Sequence, residues 1–273
     1  MLHSRKVSLF ADRTDKKFTL MWTGDYYYLI RKLVAKDFKV RYRNMSLGVL
    51  WSLVNPIVMM GVLTFVFRGI FQNAERNYPI FVFCGLLPFN FFSVAWRAGT
   101  ASILDSGGLV KRVPLPREVI PIAAVLACCL DLAIQIGLLL LLVLVFGLGI
   151  NLHYFWMPVL LFLEIVFVIG LSLLTAGLNV LMRDTRYIVE SINTILFWLV
   201  PIVYSLSLVP AQYQKFYQFN PLTSLAVGLR NILLEGRSPS YSLLLTVTLI
   251  SFASLGFGWL AFAKLKGRFY NYL

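Results

Sequence analysis

Residues 119–146 read VIPIAAVLACCLDLAIQIGLLLLLVLVF, 28 positions with one acid, Asp131, one amide, Gln135, and no cation. A run this long and this apolar exceeds the roughly 20 residues that cross a hydrocarbon core of about 30 Å. Five more segments have the same character, at 46–67, 78–97, 155–182, 188–208 and 241–263. The whole chain is 59% hydrophobic and 14% charged, where soluble domains are near half apolar and a quarter charged. Too few charges remain to cover a water-facing surface. The expected fold is all-α and integral to a membrane: six transmembrane helices, an N-terminal interfacial amphipathic helix, and a re-entrant helical segment before the last span.

The net charge of +13 invites a nucleic-acid reading, and the position of the cations argues against it. Six crossings place twenty of the 25 Lys and Arg on one side. These lie before residue 44, in the 97–118 connection, at Arg183 and Arg186, and in the tail at Lys264, Lys266 and Arg268. The other side keeps Arg68, Arg76, Lys215, Arg230 and Arg237. Membrane proteins gather Lys and Arg in cytoplasmic segments, so both termini are expected in the cytoplasm, and an odd number of spans would destroy the sorting. Residues 1–45 lack a continuous apolar core, so no cleaved signal peptide is expected. The chain divides into a cytoplasmic segment, 1–45, and a transmembrane domain, 46–273.

Residues 26–43 form the expected surface helix. At 100° per residue Tyr26, Leu29, Ile30, Leu33, Val34 and Phe38 share one face, and Lys32, Lys36, Lys39 and Arg43 share the other. A basic amphipathic helix lies in the interface with its cations toward anionic headgroups. Arg41 falls on the apolar side, against this pattern. The helix serves as a lipid anchor alone, or also touches a cytoplasmic partner.

The 209–240 connection contains the apolar run 222–234, too short to span and preceded by Asn220-Pro221. It reads as short helices dipping back into the outer leaflet, or as a helix lying flat outside.

Catalytic constellations are missing. The two histidines, His3 and His153, are isolated, there is no GxxxxGK[ST] phosphate loop, and no metal site is suggested. Cys84, Cys128 and Cys129 sit inside apolar runs without a CxxC spacing and read as packing residues. No internal repeat is visible. No cofactor is expected on this chain: ATP and magnesium, if used, belong to another subunit.

Ionisable residues inside spans are functional candidates, because burying charge in lipid is expensive. Asp131 with Gln135, Glu164 and Glu190 qualify. Asp131 reads as a proton or ion site or as a helix–helix hydrogen bond. Glu190, beside Arg183 and Arg186, reads first as a structural ion pair. The second span carries a tall aromatic stripe that includes Tyr78, Phe83, Phe89, Phe92 and Trp96. It is either an interfacial belt or a conduit wall on which sugar rings stack. Tyr213, Tyr217, Asn220 and Pro221 mark the exit segment.

Four strings carry a family resemblance. Residues 41–56, RYRNMSLGVLWSLVNP, are similar to the opening of polysaccharide-exporting type-2 ABC permeases: a basic surface helix, an LGxLW motif, then a proline in the first span. GLLPFNFF at 85–92, ILDSGGLVKRVPLPREVIP at 103–121 and NPLT at 220–223 follow in register. The resemblance implies a homodimeric pore with two copies of an ABC ATPase subunit docked below. Its cargo would be a lipid-linked glycan such as O-antigen, crossing the cytoplasmic (inner) membrane. It makes 102–118 the coupling connection that seats in the ATPase, with Lys111, Arg112, Pro114, Pro116, Arg117 and Glu118 at its core. Without the resemblance those cations could equally serve topology alone. The 209–240 segment would line the outer exit. Export of teichoic acid or capsule polymer is the alternative within the fold. A drug or small-lipid exporter and a membrane glycosyl- or acyltransferase are the rivals outside it.

Overall fold

The computed structural model describes residues 25–43, 45–46, 48–70, 75, 77–112 and 115–271, with 111–112 and 270–271 as backbone only. Ten α-helices are found among them: α1 (Tyr26–Tyr42), α2 (Trp51–Thr64), α3 (Tyr78–Asp105), α4 (Gly107–Arg112), α5 (Val119–Val145), α6 (Trp156–Leu181), α7 (Thr185–Leu199), α8 (Ala211–Phe219), α9 (Pro221–Leu233) and α10 (Tyr241–Leu265). No strand occurs among the described residues.

Five helical stretches are long and apolar enough to cross a membrane: Gly48–Ile70, Tyr78–Asp105, Val119–Val145, Leu152–Leu181 and Tyr241–Phe269. The chain is a multi-pass membrane protein. The expected span at 188–208 takes a different form. Helix α7 has 15 residues, about 22 Å at 1.5 Å per residue, and it stops where Val200 turns extended (φ −73°, ψ 133°). Pro201 is the cause, because its ring clashes with a helical residue before it.

Helix α3 is the spine. It runs eight residues past its expected end, and α2, α5, α6, α7 and α9 all pack on it. Its buried face takes in Tyr78, Phe83, Phe92 and Trp96. Pro88 sits inside it, where a protein-lined surround tolerates the missing donor. Helices α6 and α10 are pressed together at Gly170 and Gly258. A Cβ on Gly258 would stand 2.0 Å from the Gly170 carbonyl oxygen, so only glycine fits. Small residues allow this backbone approach, the usual basis of helix association in lipid.

Helices α2 and α7 are attached thinly. On α2 only Pro56 and Leu63 are buried. On α7 the buried stripe is Thr185, Val189 and Asn193, a spacing of four, with Leu196 and Phe197 half-buried beside it and the opposite side uncovered.

Candidate functional site

Three places hold polar chemistry in an otherwise apolar bundle. The first joins α1 to α5. Asp25 caps α1 by accepting from the Tyr27 amide at 2.9 Å. Leu33 packs with Val119 and Ala123 at the start of α5, supported by Leu29, Ile30 and Val34. One end of α1 then reaches deeper along the same helix. Arg41 donates from Nη1 to Asp131 Oδ2 at 2.5 Å and from Nη2 to Cys128 Sγ at 3.1 Å. The Tyr42 hydroxyl donates to the other carboxylate oxygen of Asp131. Contacts from Val119 to Asp131 cover about 18 Å of α5, more than two helices crossing squarely would share, so α1 runs obliquely along α5. Burial, then the bond to Asp131, pushes the Tyr42 phenol up to about 12, and it stays a neutral donor at ordinary pH.

The sequence pointed to Asp131 but not to its partners. Arg41, the one cation on the apolar side of the surface helix, is there because it neutralises that carboxylate. Gln135, one turn further, donates to the Ser52 carbonyl at 3.3 Å and ties α2 to the same helix. Asp131 is a helix-joining residue in this conformation. The α1 cations Lys32, Lys36, Lys39 and Arg43 are exposed as expected. Lys36 pairs with Asp37 at 3.1 Å, and Lys32 lies over the Tyr28 ring.

The second place is the 102–118 connection. Its first residues, 102–105, belong to α3, and after a turn at Ser106 the six-residue α4 carries the backbone of Lys111 and Arg112. Pro114 lies outside the described residues, as do the cations before residue 25 and His3. Pro116 is buried. Arg117 donates to the Lys266 carbonyl at 3.2 Å and lies over the Phe269 ring, and Glu118 stands 3.9 Å from the Lys266 ammonium. Around these contacts Ile103, Ile120, Leu173, Phe262 and Phe269 form one apolar cluster. Connection, tail and four helix ends therefore make a single packed unit.

The third place is the opposite end, where the chain leaves α7. Here Arg230, within the apolar run of α9, is only 5% exposed. Its guanidinium donates to the carbonyls of Ile202 at 2.7 Å, Phe81 at 3.2 Å and Tyr204 at 3.5 Å, and lies 3.5 Å from the centroid of the Phe81 ring. Residues 200–204 lost their helical partners at Pro201, and the fork-shaped cation satisfies the freed oxygens. Gly85 makes room: a Cβ there would fall 2.9 Å from Ile202 Cα and 3.2 Å from Arg230 Nη2. A lone cation in a short apolar run was the signal available in the sequence. Asn220 caps α9 by accepting from the Leu222 amide at 3.0 Å, with Pro221 as its first residue. Tyr217 and Tyr204 meet hydroxyl to hydroxyl at 3.4 Å, while Tyr213 is exposed. Helix α9 is buried against α3, α6 and α10 and does not lie loose outside the bundle.

The aromatic stripe is packed inward. Tyr78, Phe83, Phe89, Phe92 and Trp96 are each at most 6% exposed. Tyr78 donates to the Val203 carbonyl at 2.7 Å. Phe92 stacks on Phe167 and tilts against Trp96, Phe89 meets Phe197 edge-on, and the Trp96 indole donates to Thr175 at 3.2 Å. None of the five reaches the outside of the subunit in this conformation. Asn179 continues the α3–α6 seam by donating to the Thr100 carbonyl at 3.0 Å.

Glu190 is exposed, and Arg186 turns to the Tyr187 hydroxyl and ring instead. The expected ion pair with Arg183 or Arg186 is not formed. With Glu190, Ser191 and Thr194 also exposed, α7 presents a polar strip among Tyr187, Ile195 and Trp198. Among the described residues no group of three or more His, Cys, Asp or Glu could hold a metal ion.

Comparison with known proteins agrees with this architecture. The profile of the ABC-2 type transporter family matches residues 28–234, from the first turn of α1 through α9. The O-antigen export system permease protein RfbA of Myxococcus xanthus is 29% identical over 89% of this chain and 93% of its own length. A protein of the same description from Klebsiella pneumoniae is 27% identical over 90% and 95%. The polysialic acid transport protein KpsM of Escherichia coli is 24% identical over 76% and 81%. With most of its length inside the matched profile, a multi-pass helical body and a packed connection at one end, the chain belongs to the ABC-2 type transporter family, as a membrane permease rather than an enzyme.

Proposed function

We propose that this chain is half of the membrane pore of an ATP-driven exporter that carries a lipid-linked polysaccharide of the O-antigen kind across the cytoplasmic membrane. The observation that carries the reading is the uncovered polar strip of α7. Glu190 on the outside of a membrane helix is costly against lipid, while Ser191 and Thr194 beside it bond back to the Tyr187 and Glu190 carbonyls, so the face around Glu190 belongs against water or protein. A second copy of the chain, closing over α7 and over the equally bare α2 with its exposed Asn55, encloses a wet path between the two subunits. Tyr187 and Trp198, exposed on that wall, take the sugar-stacking role, and the inward column from Tyr78 to Trp96 is the stiff backing behind it. Tyr213 and Tyr217 stand at the exit, where the segment from α8 to α9 returns into the membrane.

Six crossings are supported by the ends of the fold. Residues 117–118 touch the tail at one end, while Asn151 donates to the Ile232 carbonyl at 3.0 Å at the other, so α7 with 200–210 acts as the fifth crossing. The cation distribution supports cytoplasmic termini, with α1 inclined in the inner interface. Helix α4 and its flanks, with Lys111, Arg112, Pro114, Pro116, Arg117 and Glu118, seat one of two ATPase subunits, which bind the ATP and magnesium. The O-antigen relatives support the cargo. The polysialic acid transport relative keeps a capsule polymer as the second reading.

The test is complementation of cells that lack their own O-antigen permease, with the cognate ATPase co-expressed and surface glycan quantified. Thr194→Trp is expected to block export while membrane insertion is normal, and Lys111→Glu with Arg112→Glu to leave ATP hydrolysis running without export. Normal surface glycan in the first variant sinks the path along α7, and in the second it sinks the docking assignment. Intracellular build-up of capsule polymer instead of O-antigen on depletion would transfer the assignment to the second reading.

A further inference from the structure

Outside the proposed pore and the connection, α1 and Leu130 of α5 border an open groove of about 400 Å³ beside their shared contact, a volume typical of small-molecule clefts. Its walls are apolar: Ile30, Val34 and Phe38 on α1, Leu130 on α5, with Ala35 leaving the space that a larger side chain would fill. Two exposed cations, Arg31 and Lys39, stand on the lining as well. Neither has an ion-pair partner among the described residues, whereas Lys36 has Asp37 and Arg41 has Asp131. An apolar slot bounded by unpaired positive charge matches one ligand chemistry, an acyl chain joined to a phosphate.

We propose that this groove is a binding site for an anionic phospholipid of the surrounding bilayer, its chain between α1 and Leu130 and its headgroup held by Arg31 and Lys39. The two cations are eight residues apart, about 12 Å along the helix, so their long side chains converge on one headgroup or divide over a lipid with two phosphates. Long cationic side chains at the membrane boundary reach outward in this way while their stems stay on apolar surface. Basic residues beside anionic leaflets gain attraction that neutral lipids do not give. Because α1 is anchored to α5 through Asp131, an occupied site adds a second tie between the same two helices, one that depends on membrane composition. The site stands apart from the α7 wall, and the inference holds whichever glycan is exported.

The experiment is native mass spectrometry of the full-length chain, delipidated in detergent and offered phosphatidylglycerol or phosphatidylcholine with matched acyl chains. Wild type is expected to retain phosphatidylglycerol on the order of tenfold over phosphatidylcholine. Arg31→Gln with Lys39→Gln removes that preference, and the control pair Arg97→Gln with Lys264→Gln keeps it. Ala35→Leu, which fills the slot without changing charge, lowers retention of both lipids. Thermal unfolding of each variant reports folding, and the single Arg31→Gln change at an exposed position stands in should the double variant unfold. Equal retention of the two lipids by wild type overturns the site, as does an unchanged preference in the Arg31/Lys39 variant. A polyprenyl phosphate displacing phosphatidylglycerol overturns the choice of a bilayer lipid as occupant.

Discussion

The α6–α10 pair and the α2 and α7 helices are built of similar apolar residues, yet they meet the rest of the molecule differently. Gly170 and Gly258 bring two backbones into contact, and Ser254 adds a bond to the Phe167 carbonyl at 3.1 Å. Helix α2 buries only Pro56 and Leu63, with Met59 and Met60 half-buried beside them, and α7 buries one narrow stripe flanked by Leu196 and Phe197. Apolarity places a helix in the membrane, but small residues and internal polar bonds decide whether it is welded to its neighbours. The welded part is scaffold. The thinly attached part is where the proposed function puts a second chain and a cargo.

The largest effect is expected from Gly258→Leu. The new side chain must force apart two backbones, and overpacking of a closed contact costs several kcal/mol. We expect loss of monodisperse protein, while Gly256→Ala, with nothing within 4 Å of its Cβ, stays within about 0.5 kcal/mol of wild type. Thermal unfolding in detergent measures both, and a folded Gly258→Leu protein would break the contrast drawn above.

Arg230→Met tests the intermediate case, the junction where thin α7 is locked to the scaffold. It keeps the stem and removes the donors, leaving buried carbonyls unpaired at about 1–3 kcal/mol each. Part of that cost is relieved if residues 200–204 refold or admit water. We expect a clear fall in the unfolding midpoint and only partial recovery in Arg230→Lys, whose point charge cannot serve the fork. Full recovery by lysine would show that charge alone holds the junction.

The smallest effect belongs to the α1–α5 clamp. Asp131→Asn is expected to lose about 1–3 kcal/mol by leaving Arg41 without its counter-charge. A double-mutant cycle with Arg41→Gln should give a coupling of about 0.5–3 kcal/mol. A coupling near zero would detach the surface helix from the scaffold and make lipid alone its support.

Much of the scaffold could be read from residue order. Five of the six expected span positions follow from long apolar runs, and the start of α1 and its exposed cations follow from a helical period that tertiary context did not override. The end of α7 was missed because apolar composition runs on past Pro201, although the backbone cannot stay helical before it. The role of Arg41 was hidden because a helical wheel compares a side chain with its own helix, while its partner Asp131 is 90 positions away. The direction of the aromatic stripe was not legible. Composition shows that α3 carries many rings, but which side faces neighbours depends on where α5, α6 and α7 settle. The polar strip of α7 was legible only as single residues, because its meaning comes from the absence of anything packed on it.

The tie between the 115–118 turn and residues 266–269 has a mechanical consequence. A displacement imposed at this turn is not absorbed locally, because Arg117 and Glu118 hand it to Lys266 and thence to α10. Since α10 abuts α6 backbone to backbone, the stroke arrives in both helices together, like a push on a beam bolted at its foot and again at mid-height. Motion entering there is spread across the scaffold and emerges where the structure is loosest, along α2 and α7.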